Sequence, residues 1–152
     1  AIGSFEYAMP DGSGHDPENP TLAEMSDAAF TLLVRKTRRL ATHRNGFVLV
    51  IEGGSIDWAG HDNRLAPMIG ELRAFDAAVA KIIARIEDPT DDVDWENTSL
   101  IVLGDHTNSL VPCFVAGRAW ERPSSPVDPV RGVYVDNTIV YTWLERWLRE
   151  RD

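Results

Sequence analysis

Apolar residues gather along this chain into runs of two kinds. Phe47-Val48-Leu49-Val50-Ile51 and Leu100-Ile101-Val102-Leu103 are short and unbroken, the pattern of strands buried on both faces of a parallel sheet. Between them Leu65, Met68, Ile69, Leu72, Phe75, Val79, Ile82, Ile83 and Ile86 recur at helical spacing. That spacing predicts a long helix from about Arg64 to Glu87, stopped by Asp88-Pro89. Strand, helix and strand in this order predict a right-handed βαβ crossover with parallel strands.

The flanks complete the pattern. Residues 1–20 are rich in Gly, Pro and Asp and read as loop, with Asp11-Gly12 and Gly14-His15-Asp16-Pro17 as turn signals. Thr21 and Glu24 have the spacing of a capping box ahead of Leu22, Met25, Ala29, Leu32, Leu33 and Leu40, so a helix is expected from about Leu22 to Ala41. Its last turns carry Arg35, Lys36, Arg38 and Arg39, cations at the negative end of the helix dipole. Downstream, a polar loop through Trp95 leads to the strand Ser99 to Leu103. A third short strand is expected at Leu110 to Val115, then a Pro-rich loop from Arg122 to Pro129. A last helix starts at Asn137 or Thr138, with Ile139, Trp143, Leu144 and Trp147 as its apolar face. The expected fold is α/β: a three-layer α/β/α arrangement with a mainly parallel sheet, one edge of which is open to a partner chain.

Candidate chemistry sits where both apolar runs end. Glu52, Asp57 and His61 follow the first run, and Asp105 and His106 follow the second. Ligands of open α/β sheets gather beyond the carboxyl ends of the strands. Asp57 and His61 lie four apart, so a helical turn would place them on one face. Carboxylate and imidazole together suit zinc or another divalent ion, and Glu52 suits the same ion or a harder neighbour such as magnesium. Gly53 and Gly54 permit a sharp turn and close backbone approach. The same residues also admit a structural role, with Glu52 a loop carboxylate, Asp57 a helix N-cap, His61 a solvated or hydrogen-bonded histidine and Asp105-His106 a turn. Ser55 is the nearest hydroxyl, but nothing in the sequence positions a general base for it, and a hydroxyl here fits a turn cap better than a nucleophile. Trp58 is expected to wall the site. His15 lies in a loop, either solvated or within reach of a metal, and His43 reads as a surface residue.

Composition narrows the partners. The chain has 152 residues, 43% of them hydrophobic, with a formal net charge of -9. That balance argues against nucleic acid and anionic membranes, which need Lys and Arg to neutralise phosphate. It does not exclude an anionic substrate, because bound cations reverse the local field. No apolar run approaches the ~20 residues of a membrane helix, and Ala1-Ile-Gly-Ser-Phe-Glu6 lacks the features of a signal peptide, so the chain reads as soluble. Cys113 is the single cysteine, which excludes an internal disulfide.

Glu52-Gly-Gly-Ser-Ile-Asp57-Trp-Ala-Gly-His61, between a strand and a long amphipathic helix, resembles the metal-binding core of alkaline phosphatases. Pro17-Glu-Asn-Pro-Thr-Leu-Ala-Glu24-Met25 resembles the segment before that core. Asn97-Thr-Ser-Leu-Ile-Val-Leu-Gly-Asp105-His106 resembles its second metal strand, His106-Thr-Asn-Ser-Leu-Val-Pro112 its final histidine region, and Gly132-Val-Tyr-Val-Asp-Asn137-Thr138 the closing segment. The resemblance implies that Glu52 binds magnesium, that Asp57 and His61 bind one zinc, and that Asp105 and His106 bind the second. It further implies hydrolysis of phosphate monoesters, a periplasmic or secreted location, and either a homodimer or a complementing N-terminal half. On this resemblance residues 1–152 form a single partial domain, the C-terminal half of the fold. The family's nucleophilic serine, its phosphate-binding arginine and one metal-binding aspartate belong to a part that this sequence does not contain. At Gly104-Asp105-His106-Thr107 one histidine also stands where the family has two, separated by an insertion. Two other functions fit the same residues: hydrolysis of phosphodiesters or sulfate esters, and a metal-binding or assembly module without turnover.

Overall fold

Helix α1 spans Leu22–Arg39, and its start is built as the sequence predicts. Thr21 N and Thr21 Oγ1 donate to Glu24 Oε2 at 2.8 and 2.9 Å, and Glu24 N donates back to Thr21 Oγ1 at 3.2 Å. Orphan amides of the first turn are thereby satisfied reciprocally. The computed structural model describes residues 7–39, 46–104, 113–117, 127–128, 132–133 and 149. It divides into two compact units, Ala1–Arg85 and Ile86–Asp152.

In the first unit α1 is followed by the short helix α2, Ser55–His61, and the long helix α3, Leu65–Ile86, within a residue of the predicted bounds. The buried faces differ from the expected ones. On α1 the buried positions are Ser26, Phe30 and Val34, while Met25 and Leu32 are exposed. The i, i+4, i+8 stripe therefore lies beside the one that the leucines suggested. Ser26 is tolerated in it because its Oγ donates to the Leu22 carbonyl at 2.6 Å. On α3 Ile82 and Ile86 of the expected apolar face are buried, together with Pro67, Gly70 and Ala78, whereas Leu65, Ile69 and Leu72 of that face are exposed. Arg85 links the two helices: Nη1 donates to Asp27 Oδ1 at 2.9 Å and to Thr31 Oγ1 at 3.0 Å. Its guanidinium also lies 5.6 Å from the centre of the Phe30 ring.

Phe47–Ile51, expected as a doubly buried strand, is extended but carries no strand ladder. Phe47 packs edge-on against Phe30, with ring centroids 5.8 Å apart. Val48 and Val50 face the other way, 60% and 84% exposed. Among the described residues no strand pairs with this segment; Phe47 rests on α1 while Val48 and Val50 meet solvent.

In the second unit Asp88 closes the turn after α3, accepting from Thr90 N at 2.9 Å and Thr90 Oγ1 at 2.7 Å. Asp94 and Asn97 then lock the approach to strand β1, Ser99–Leu103: Asp94 Oδ1 accepts from Glu96 N and Asn97 N, both at 2.9 Å. Strand β2, Cys113–Gly117, runs antiparallel to β1 with Ile101 opposite Val115. Of the strand expected at Leu110 to Val115, residues 110–112 lie outside the described residues, and the described part runs on to Gly117. A second antiparallel pair joins β3 at Val127–Asp128, inside the expected Pro-rich loop, to β4 at Gly132–Val133, just beyond it. The chain is α/β, but both pairings among the described residues are antiparallel, and the parallel βαβ crossover is not formed by them. The short connection from β1 to β2 favours direct antiparallel return, since a parallel partner needs a crossover of about a dozen residues or more. The helix expected after Asn137 lies outside the described residues.

Candidate metal centre

The approach to α2 depends on Gly53. A Cβ there would stand 2.8 Å from Phe75 Cδ2 and 3.3 Å from Ile56 Cδ1. The glycine is required by the closeness of the α3 aromatic ring, since L side chains do not tolerate such a contact. Gly54 is the N-cap, with helical φ -62° and ψ -26°. The alternative role for Asp57, as an N-cap, is therefore overturned: it sits inside the first turn of α2.

The end of α2 is closed by a Schellman turn. Asn63 N donates to the Gly60 carbonyl at 3.0 Å and Arg64 N to the Ala59 carbonyl at 2.9 Å, with Asn63 left-handed at φ 54°. Ala59 is fully buried and anchors the inner face of this seven-residue helix. The opposite face is thereby turned outward, and on it stand Asp57 and His61. Their polar atoms meet: His61 Nε2 lies 3.3 Å from Asp57 Oδ2, with side chains 78% and 47% exposed. Each residue also suits its place on the helix, the carboxylate near the positive N-terminal end and the imidazole near the negative C-terminal end.

The pair has the chemistry of a partial zinc site. Two donors bound to one tetrahedral ion at ~2.0–2.1 Å are separated by about 3.3 Å. The observed separation of 3.3 Å is close to that edge and also suits an i,i+4 ion pair. Oxygen and imidazole nitrogen are both zinc donors, so the pair offers two of the ligands that a tetrahedral site needs. Glu52 is exposed ahead of the helix, its Oε1 folded toward the turn at 3.2 Å from where a Gly54 Cβ would stand. Among the described residues no three His, Cys, Asp or Glu side chains form a group able to hold one ion, so Glu52 does not join the pair. Asp105 and His106 lie outside the described residues, as does His43. His15 is exposed in the loop before α1. Trp58, expected as a wall, is itself 55% exposed.

Sequence reasoning passed over the residues that hold the end of α2. Tyr7 Oη donates to Asp62 Oδ2 at 3.0 Å, and the Arg64 guanidinium lies 5.1 Å from the Tyr7 ring centre. Desolvation, then the hydrogen bond to the Asp62 carboxylate, raise the Tyr7 phenol above its ordinary value. Asn63 alone was open to prediction, because asparagine after a helix end is a known left-handed cap.

The chain presents a carboxylate and an imidazole together on α2, after an apolar segment. A family model described as Alkaline phosphatase matches residues 4–123, and the chain belongs to that family. Membrane-bound alkaline phosphatase of Bombyx mori is 35% identical over 97 residues, covering 64% of this chain and 15% of that protein. Alkaline phosphatase 4 of Bacillus subtilis (strain 168) is 34% identical over 92 residues, covering 60% and 17%. Streptomycin-6-phosphate phosphatase of Streptomyces griseus is 34% identical over 93 residues, covering 61% and 19%. The match thus spans less than a fifth of each of these relatives. No solved structure matches the chain. No helix among the described residues is long and apolar enough to cross a membrane.

Proposed function

We propose that this chain supplies the metal-binding part of an alkaline phosphatase that hydrolyses phosphate monoesters. The observation that carries the reading is the 3.3 Å approach of His61 Nε2 to Asp57 Oδ2, within the segment matched by the family model. Asp57 and His61 hold one zinc, Glu52 a magnesium, and Asp105 with His106 the second zinc. Bound there, the ions stabilise charge on the phosphoryl and leaving oxygens. Asp57 supplies a carboxylate oxygen and His61 an imidazole nitrogen, while α2, anchored by Ala59, fixes both on one side. The exposure of this face leaves it accessible to a phosphate ester. On this reading the setting is periplasmic or secreted, and the partner is either a second copy of the chain or a complementing N-terminal half.

Metal titration of the 152-residue chain tests this reading, followed by assays with an aryl phosphate monoester, a diester and a sulfate ester. The chain alone is expected to bind zinc without turnover, and monoester hydrolysis is expected when an N-terminal half of the family fold is added. Absence of zinc binding would overturn the proposal. Preferential turnover of diester or sulfate would reassign the substrate.

A further inference from the structure

His61 is the last residue of a seven-residue helix, and helices this short are marginal without outside support. Its position is therefore set by whatever grips the turn that follows. That grip comes from residues 7–14. Tyr7 holds the turn at two points, its hydroxyl on Asp62 at 3.0 Å and its ring beneath the Arg64 guanidinium at 5.1 Å. The two residues held lie on either side of left-handed Asn63.

The loop is itself fixed. Met9 N donates to the Ser13 carbonyl at 3.0 Å and Gly12 N to the Met9 carbonyl at 2.9 Å, and Asp11 Oδ1 accepts from Ser13 N at 2.9 Å and Ser13 Oγ at 2.6 Å. It is seated on α3 by Ala8 N donating to Glu71 Oε1 at 2.7 Å and Arg73 Nη1 donating to the Pro10 carbonyl at 2.7 Å. At Gly70 the backbones pass so closely that a Cβ would stand 2.6 Å from the Ala8 carbonyl carbon and 2.8 Å from Met9 Cα. These contacts form a brace from α3, through the loop, to the end of α2.

We propose that Tyr7 is a positioning residue for His61, clamping the 62–64 turn so that the imidazole stays beside the Asp57 carboxylate. The consequence for metal affinity rests on the reading of Asp57 and His61 as ligands. The clamp itself stands on the contacts of Tyr7 with Asp62 and Arg64. Tyr7→Phe removes the hydroxyl and keeps the ring, whereas Tyr7→Ala removes both points of grip.

Hydrogen exchange and Co²⁺ titration of the 152-residue chain test the two parts separately. In Tyr7→Ala the Asn63 and Arg64 amides are expected to exchange about tenfold faster, with the interior of α3 unchanged, and in Tyr7→Phe a few-fold faster. Co²⁺ affinity is expected to fall about tenfold in Tyr7→Ala, the range seen when supporting partners of metal ligands are removed. Unchanged exchange at Asn63 and Arg64 in either variant overturns the clamp. Unchanged Co²⁺ affinity in Tyr7→Ala, alongside loss of binding in His61→Ala, overturns the positioning role. If His61→Ala binds Co²⁺ as the parent does, the metal reading fails instead, and exchange alone decides the clamp.

Discussion

His61 Nε2 stands 3.3 Å from Asp57 Oδ2 on the outward face of α2, a separation that suits an ion pair and also two corners of a zinc tetrahedron. In the metal-free chain a pair this exposed contributes little, because solvent screens it. The two roles of the pair therefore separate by experiment. Asp57→Ala and His61→Ala are each expected to reduce zinc affinity by roughly a hundredfold or more, since a ligand is lost outright. Melting in EDTA is expected to change little. Calorimetric zinc titration beside a thermal scan checks both halves, and unaltered zinc affinity in both variants would contradict the assignment.

Asn63 adopts φ 54° between α2 and α3, a conformation that asparagine and glycine tolerate and β-branched residues do not. Asn63→Val is expected to destabilise the chain by about 1–2 kcal/mol. Asn63→Gly is expected to be neutral or stabilising by up to ~1 kcal/mol, because the Schellman bonds survive. Urea midpoints of the three proteins provide the comparison.

Gly53→Ala brings a methyl group to 2.8 Å from Phe75 Cδ2. Overpacking of this kind costs about 1–3 kcal/mol. Phe75→Leu in the same chain should recover part of the loss by making room. If urea denaturation gives the single and double variants equal stability, the loss does not arise at the Phe75 ring.

Local signals in the sequence were legible where the cause was local. Thr21 and Glu24 announced the start of α1, the spacing from Leu65 to Ile86 announced α3, and the i, i+4 relation of Asp57 and His61 announced their shared face. Signals that depend on distant chain were misread. Phe47–Ile51 has strand composition, yet an apolar run cannot reveal whether another strand hydrogen-bonds to it, and Val50 is 84% exposed. Ile82 and Ile86 of the inner stripe of α3 were legible, but Gly70 was hidden because it is small and its burial reflects the close approach of the Ala8–Met9 backbone. Tyr7 escaped notice for the same reason, since its partners Asp62 and Arg64 lie more than fifty positions away.

Glu24 offers a test through pH. Its carboxylate accepts first from the Thr21 backbone N–H and then from the Thr21 hydroxyl, which hold its pKa below the ordinary 4.5. A depressed folded value means that the stabilisation is fully present above 4.5 and is lost as acidification passes through the lower folded value. The parent chain should therefore lose more stability between about pH 7 and pH 3 than Glu24→Gln, which keeps an acceptor but cannot titrate. The measurement is the urea midpoint followed by helical circular dichroism at each pH. Identical pH dependence in the two proteins would show that the ionised capping box does not contribute to the stability of α1.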